Sequence, residues 1–247
     1  MIRLPPSLPR DLWLAQFRLL RRYHRYEVRG LEALLAPGAK LIVGYHGRPL
    51  ALDLCILTVE IYERLGYLPH GIIHGSFGDQ SVLRWLIDGL GFVTADGPDL
   101  AAAVARGEHV IVEPGGTREG CRSVRRRYVV DWGERTGYLK LAEKYRLPIV
   151  PVAGRGVDDA YLGLNDGYAW GKRLHLPGRL PLWLGLGVGG LWPLALPFPV
   201  KLTDYIGTPI VDHLEPSYPT GDPQARRALH RRVVAQVQAL LDRGGGR

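Results

Sequence analysis

Two segments, LIVGYHGRPLALD and IVEPGGTRE, each begin with an apolar run and continue with charged residues, and the first also holds a histidine, so they could do acid–base chemistry. The first segment supplies His46, Arg48 and Asp53, and the second supplies Glu113 and Arg118. An imidazole can take a proton from a hydroxyl group near neutral pH, and guanidinium groups suit phosphate oxygens. The pattern favours His46 as a proton acceptor beside an anionic ligand. The alternative for His46 is a buried structural histidine.

Strands and helices alternate along the chain and would position these residues. Continuous Val- and Ile-rich runs predict buried strands over residues 40–45, 109–113 and 148–153, with a helix from Pro49 to about Leu65 between the first two. The sequence therefore predicts an α/β fold with a layered sheet and flanking helices. Ligands in such folds bind beyond the carboxyl ends of the strands, where both polar turns fall.

The predicted helix start constrains Asp53. If the helix began at Pro49, Asp53 would lie too far along it to bond directly to His46, since each helical residue adds about 1.5 Å. The intervening residues must then be taken up in the turn for the two side chains to meet.

Composition limits the class of protein. The chain has 247 residues, of which 46% are hydrophobic and 23% charged, and a formal charge of +8, which suits one domain with a large core. A basic balance makes phosphate-bearing partners plausible: anionic lipid head groups, CoA or nucleic acid. The arginine-rich stretch TREGCRSVRRR lacks the interleaved aromatics that stack on bases, which argues against nucleic acid. Two cysteines without a secretory leader predict a cytosol-facing protein.

Three motifs together resemble a known family. They are His46 with Asp53, the turn Pro114-Gly115-Gly116-Thr117-Arg118, and the strand Ile149-Val150-Pro151-Val152. The pattern resembles the glycerolipid and lysophospholipid acyltransferases of the PlsC-like superfamily, and its Pro-Gly-Gly turn is closest to the diacylglycerol acyltransferase-like branch. The resemblance covers roughly residues 25 to 210.

Two positions depart from the family pattern. The family places its aspartate where this chain has Ala51, so Asp53 substitutes for it here. The family also commonly has a glutamate at the position of Gly115, whereas Glu113 lies on the other side of the proline.

The resemblance implies acyl transfer to a hydroxyl group of a glycerolipid or lysophospholipid. His46 would be the general base and Asp53 would orient its ring. Backbone N–H groups of the Gly115-Gly116 turn would hold the oxyanion or phosphate. The implied substrate-binding residues are Arg48, Glu113, Pro114, Gly115, Gly116, Thr117 and Arg118. The acyl donor would be acyl-CoA or acyl carrier protein, with no metal and no cofactor. The protein would lie peripherally on the cytoplasmic side of the cell membrane.

Two other functions stay open. One is a thioesterase or lipid hydrolase, in which water replaces the alcohol at the same His46 and Asp53. The other is a non-catalytic lipid-binding protein with a degenerate acyltransferase fold.

Two apolar segments could contact lipid. Residues 1–24 predict an amphipathic helix with arginines on one face, either a membrane-surface helix or one packed on the single domain at 25–247. Residues 180–200 carry no charge, but prolines interrupt them. They predict a re-entrant or interfacial segment, a wall of an acyl channel, or a buried strand pair or loop.

Other motifs do not define sites. The G-x-G-x-x-G match at residues 185–190 precedes Leu-Trp-Pro instead of the helix that a dinucleotide site needs. His70 and His74 share a predicted strand without a third metal ligand. Cys55 is interpreted as a small buried apolar residue. The arginines near Cys121 could lower its pKa, which alone does not make it a nucleophile.

Overall fold

A seven-stranded mixed sheet, flanked by helices, forms the centre of the protein in a computed structural model that describes residues 5, 7–49, 51–73, 89–95, 97–175 and 181–243. The strands of this part of the chain lie in the order β1-β10-β6-β2-β5-β3-β4, and a smaller sheet has the order β7-β8-β9. All neighbours in the large sheet are parallel except β10 and β6. The predicted α/β class with a layered sheet is confirmed.

The strands are β1 (Glu27–Arg29), β2 (Leu41–Gly44), β3 (His70–Ile73), β4 (Val93–Thr94), β5 (Val110–Val112), β6 (Ile149–Arg155), β7 (Leu162–Gly163), β8 (Gly185–Gly187), β9 (Gly190–Leu191) and β10 (Thr203–Ile206). The helices are α1 (Leu8–Tyr23), α2 (Glu32–Leu35), α3 (Leu52–Leu65), α4 (Pro98–Ala105), α5 (Gly116–Gly120), α6 (Gly137–Tyr145), α7 (Gly167–Arg173) and α8 (Pro223–Arg243).

Strand β2 lies between β5 and β6 and is buried on both faces. Leu41 and Val43 pack into the larger apolar cluster, and Ile42 packs into a second cluster on the opposite face. Alternate side chains of a strand point to opposite faces, so a central strand covered on both sides needs an unbroken apolar run. This explains why β2, β5 and β6 were predictable from sequence.

Helix α3 begins at Leu52 instead of the predicted Pro49. The Ala51 N–H donates to the Arg48 carbonyl at 2.8 Å, which closes a turn, and Ala51 then adopts a left-handed conformation with φ 42°. This turn accommodates the additional residues that lie between His46 and Asp53 when the chain is compared with the family's usual spacing. Asp53 therefore lies in the first turn of α3.

The sequence also predicts a helix over Trp132 to Tyr145, but helix α6 begins only at Gly137. Trp132 is only 1% exposed and its indole Nε1–H donates to Glu119 at 3.0 Å, so it belongs to the core beside the motif turn. The sequence also predicts a helix over about residues 79–88, and this segment, like the strand residue His74, lies outside the described residues.

The N-terminal helix α1 packs along α3. Leu14 and Phe17 are buried, and the Trp13 indole donates to the Thr58 hydroxyl at 2.9 Å. Arg18 and Arg21 pair with acidic side chains of α3. These contacts match the packed alternative for this helix, although Leu12 and Leu19 still face outward.

The apolar segment at 180–200 folds, over its described part, into β8, β9 and the turns around them. Its Trp183 packs in the core, whereas Leu194 is 94% exposed. No helix among the residues that the structure describes is long and apolar enough to cross a bilayer.

Candidate active site

His46 lies two residues beyond the carboxyl end of β2 and is 8% exposed. Its Nδ1 is 3.0 Å from the Gly47 carbonyl oxygen. Because a carbonyl oxygen can only accept a hydrogen bond, Nδ1 carries the hydrogen of the neutral ring, and Nε2 keeps its lone pair. Nε2 is therefore the atom that could accept a proton from a substrate.

Glu113 lies opposite this nitrogen, with its Oε2 3.9 Å from His46 Nε2. It follows β5, the neighbour of β2, so the parallel sheet brings the two polar turns to one edge. Burial raises the pKa of Glu113, and the neighbouring His46 offsets part of that rise. The carboxylate can stabilise a protonated His46 ring electrostatically.

Asp53 does not hydrogen-bond or pair with His46 in this structure. It is completely buried, and neither of its oxygens accepts a hydrogen bond from a side chain of the described residues. A methyl group added at Gly154 would lie 2.0 Å from Asp53 Oδ2 and 2.8 Å from Asp204 Oδ1, so both carboxyl groups crowd this glycine. The direct dyad predicted from sequence is not formed here, and the catalytic role of Asp53 stays a prediction.

Burial raises the pKa of both carboxyl groups, that of Asp204 to about 7, and Asp204 raises that of Asp53 further. Asp204 also accepts a hydrogen bond from the Tyr26 hydroxyl at 2.6 Å. The hydrogen bond from Tyr26 lowers the pKa of Asp204 and offsets part of this rise, but burial outweighs it, so the pair is held most stably with protons bound.

We expect Asp204→Asn to flatten the pH dependence of stability. The folded chain keeps the Asp204 proton up to about pH 7, whereas the unfolded chain releases it near the ordinary pKa of 3.8, so raising the pH across this interval favours unfolding. The free energy of unfolding of the wild type should fall between these pH values by more than that of the variant. Urea unfolding at both ends of the interval measures this, with exposed Glu215→Gln as control. Parallel curves for wild type and Asp204→Asn would contradict the assignment.

Glu119 holds the two polar turns together, a role that the sequence did not reveal. Its Oε2 accepts from the His46 backbone N–H at 3.1 Å and from the Trp132 indole at 3.0 Å, and its Oε1 accepts from the Asp131 backbone N–H at 2.7 Å. The carboxylate is 0% exposed and lies 3.7 Å from the Arg122 guanidinium. Glu119 thereby fixes the backbone that carries His46.

This buried carboxylate also explains why the motif has Gly115 where the family has a glutamate. A methyl group on Gly115 would lie 1.9 Å from Glu119 Oε2. Any side chain at this position would therefore displace the carboxylate that positions His46. The departure from the family pattern has a structural reason.

We expect Glu119→Ala to lower the free energy of unfolding by about 3 kcal/mol or more, because it leaves two buried N–H donors and one partly buried N–H donor without an acceptor. Glu119→Gln keeps one acceptor oxygen and should lose less. Urea denaturation measures both, with exposed Glu134→Ala as the control. Equal stabilities for wild type and Glu119→Ala would show that Glu119 does not support the turn.

The arginines of the site divide into buried and exposed groups. Arg48 is 0% exposed, and its Nε and Nη1 donate to the carbonyls of Asp158 at 2.8 Å and Arg122 at 2.7 Å, so backbone carbonyls occupy two of its guanidinium nitrogens. Arg122 is also buried, with its guanidinium over the Tyr45 ring. Arg118 is exposed and pairs with Asp131 at 3.0 Å. Of the two arginines predicted to bind substrate, only Arg118 is open to solvent.

The turn at residues 114–118 is held by contacts with other parts of the protein. The Gly116 N–H donates to the Glu113 carbonyl at 3.0 Å, so it is not free to hold an oxyanion in this structure. Arg135 donates to the carbonyls of Pro114 at 3.2 Å and Gly115 at 2.7 Å. The Thr117 hydroxyl is 2.8 Å from the Tyr168 hydroxyl of α7.

An apolar cavity of about 550 Å³ opens beside His46 and Glu113. Ala51, Leu54, Cys55 and Thr58 line it from one face of α3, which corresponds to about 10 Å along the helix axis. Its other apolar lining includes Trp13, Leu68, Ile72, Phe92 and Ile111. A cavity of this size and lining suits a hydrocarbon chain. The described residues of segment 180–200 do not line it, so the proposed acyl-channel wall lies elsewhere in the chain.

The remaining sequence motifs have structural explanations. His70 bonds the Gly91 carbonyl at 2.7 Å and Glu108 at 2.8 Å, and the described part of the chain holds no cluster of three or more potential metal ligands. Burial raises the pKa of Cys121 to about 11 and outweighs the lowering by Arg48, so Cys121 does not have the lowered pKa that its neighbouring arginines suggested. Cys55 is half-buried and faces the cavity.

Known proteins resemble the chain in sequence and in fold. It is 27% identical over 226 residues to the human protein named "DGAT1/2-independent enzyme synthesizing storage lipids", and 30% identical over 208 residues to a chicken protein of the same name. It is 31% identical over 138 residues to phytyl ester synthase 2, chloroplastic, from Arabidopsis thaliana, which covers 53% of this chain and 20% of that protein. No family model matches the sequence.

The chain spans about three fifths of the length of the human and chicken proteins, 62% and 59% respectively. These alignments include 90% and 81% of the chain itself. Its fold matches the 1-acyl-sn-glycerophosphate acyltransferase PlsC from Thermotoga maritima, with a TM-score of 0.58 over 96% of this chain and 80% of that one, at 17% identity. The fold and these relatives confirm the predicted resemblance to the PlsC-like acyltransferase superfamily.

Proposed function

We propose that the protein transfers a fatty acyl group from a thioester to a hydroxyl group of a lipid. One observation carries this proposal: an apolar cavity of about 550 Å³, large enough for part of a hydrocarbon chain, is lined by His46, whose Nδ1 bonds the Gly47 carbonyl and whose Nε2 is left for a substrate. The relatives named for storage-lipid and phytyl ester synthesis, and the PlsC fold, support acyl transfer over other uses of such a cavity.

His46 acts as the general base. Its Nε2 accepts the hydroxyl proton as the alcohol oxygen bonds to the thioester carbonyl carbon. The carbon–sulfur bond then breaks, and the proton passes from His46 to the departing thiolate. The Gly47 carbonyl holds the ring through Nδ1, and Glu113 at 3.9 Å stabilises the imidazolium. Asp53 makes no bond to His46, and the catalytic role that the resemblance implies for it stays a prediction.

The partners follow from the same site. The acyl donor is acyl-CoA or acyl carrier protein, the acceptor is a lipid alcohol, and the protein's own residues carry the reaction without a cofactor. Arg118, exposed beside Thr117 of the cavity rim, is the arginine placed to meet a phosphate. Because the donor carries a fatty acyl chain and the acceptor is a lipid, we propose peripheral association with the cytoplasmic side of a membrane.

Incubating the purified protein with radiolabelled acyl-CoA tests the proposal. Detergent micelles containing a lipid alcohol, lysophosphatidate or diacylglycerol, should give labelled ester, and micelles without acceptor should give little product. Release of free fatty acid at the same rate with and without acceptor would identify a hydrolase instead. Retention of acyl-CoA without any product would identify a lipid-binding protein.

A further inference from the structure

The small sheet presents a row of leucines to its outer side. Leu162 of β7 is opposite Leu186 of β8, which is opposite Leu191 of β9, and the three are 39%, 37% and 46% exposed. Paired residues in neighbouring strands point to the same face. An antiparallel sheet that faces water carries mostly polar residues on that face. This face is apolar instead.

The inner side of the sheet fixes the orientation of that row. A methyl group on Gly185 would lie 2.1 Å from the Trp183 ring, and one on Gly187 would lie 2.8 Å from the Tyr161 ring. Only glycine fits between the strand and these rings. A slip of one residue would push leucines into the rings, so the leucines must face outward.

The turn after β9 extends this apolar surface. Leu194 is 94% exposed, Leu196 is 64% exposed, and Val188, which pairs with Leu196, is 44% exposed. We call the outward side chains of Leu162, Leu186, Val188, Leu191, Leu194 and Leu196 the leucine face. Residues 181–200 contain no charged side chain. Inserting this part of the surface into an apolar phase would therefore not bury a charge.

Basic and aromatic residues lie on helix α7, which packs beside the segment that leads into β8. Helix α7 begins beside the small sheet, where the Leu182 N–H donates to the Gly167 carbonyl at 2.9 Å. On this helix Trp170 is 48% exposed, and Lys172 and Arg173 in its last turn make no ion pair within the part of the chain that the structure describes. Tryptophan beside unpaired basic side chains suits the head-group layer of an anionic bilayer.

We propose that the leucine face inserts into the surface of an anionic lipid bilayer, with Lys172 and Arg173 on the lipid phosphates. The formal charge of +8 complements such a surface. The choice of lipid as the partner rests on the proposed function. The same helix contacts the active site, because its Tyr168 hydroxyl is 2.8 Å from Thr117, which lines the cavity. Docking there brings lipid to the rim of the cavity.

Helix α1 is the competing surface and supplies a matched control. Leu12 and Leu19 are 57% and 68% exposed, similar to the leucine face. Arg18 and Arg21, however, pair with Glu60 and Glu63, so acidic partners offset their charge. We therefore place membrane contact at the leucine face.

Vesicle flotation tests the proposal with the full chain. Wild type should bind vesicles that contain phosphatidylglycerol, and Leu194→Glu with Leu196→Glu should lower the bound fraction roughly tenfold or more. Leu12→Glu with Leu19→Glu should change it by less than about threefold, because those side chains stay in water. Lys172→Gln with Arg173→Gln should weaken binding to these vesicles and leave binding to neutral phosphatidylcholine vesicles unchanged.

The failures of docking and of catalysis are distinguishable. His46→Ala should float as the wild type does, because binding needs no turnover. Undiminished flotation of Leu194→Glu with Leu196→Glu would overturn the proposal, as would loss of flotation in the α1 variant or no flotation of the wild type. Wild type that sediments as a dimer, and Leu194→Glu with Leu196→Glu as a monomer, would assign the face to a second copy of the chain instead.

Discussion

Replacing His46 with alanine is expected to lower the rate of acyl transfer by about a hundredfold or more, the effect typical of a lost general base. The ring lines the cavity, and its Nδ1 bonds the Gly47 carbonyl, which leaves the Nε2 lone pair to accept the substrate proton. His46→Gln should be equally inactive, since an amide cannot take up the proton. Initial rates with saturating acyl-CoA and lipid acceptor measure the effect.

His70→Ala is the matched control for this variant. His70 is half-buried, and both its ring nitrogens bond protein groups, Gly91 and Glu108, so it has no free lone pair for a substrate. We expect its loss to change the rate by less than about threefold. If His46→Ala retained the wild-type rate within the same margin, acyl transfer would not use His46, and the cavity would serve a different purpose.

Cys55→Trp is expected to reduce transfer from long-chain donors roughly tenfold or more and to leave short-chain donors nearly unaffected. Cys55 lines the middle of the α3 face of the cavity, so the larger side chain would fill the space beyond the reacting end. Rates with butyryl-CoA and palmitoyl-CoA, compared for wild type and variant, give the ratio that tests this.

Cys55→Ala serves as the size control and should keep the wild-type ratio. Thermal unfolding of both variants separates a blocked cavity from a misfolded protein. Equal losses with both donors in a stably folded Cys55→Trp would place the acyl chain outside this cavity.

The central strands and the edge that carries the site were predictable, because burial on both faces demands continuous apolar sequence. Strands β2, β5 and β6 lie where their Val- and Ile-rich runs predict, and His46 and Glu113 meet because parallel neighbours end at one edge. Both inferences use only local sequence and the geometry of parallel sheets.

The contacts that organise the site were not predictable, because they join residues far apart in the chain. Nothing in the local sequence distinguishes Glu119 from an exposed charge, yet it is buried against the His46 backbone. Arg48 reads as a phosphate ligand, yet it is enclosed by backbone carbonyls. Asp53 crowds Asp204 across Gly154 instead of facing His46. The sole local trace of these arrangements is Gly115, whose missing side chain leaves room for Glu119.

A crystal structure of the protein with a non-hydrolysable alkyl thioether of CoA tests the central claim most directly. We expect the alkyl chain to lie along α3 between Ala51 and Thr58, with its sulfur end within about 4 Å of His46 Nε2. An alkyl chain bound outside the cavity, or a sulfur atom remote from His46, would contradict acyl transfer at this site.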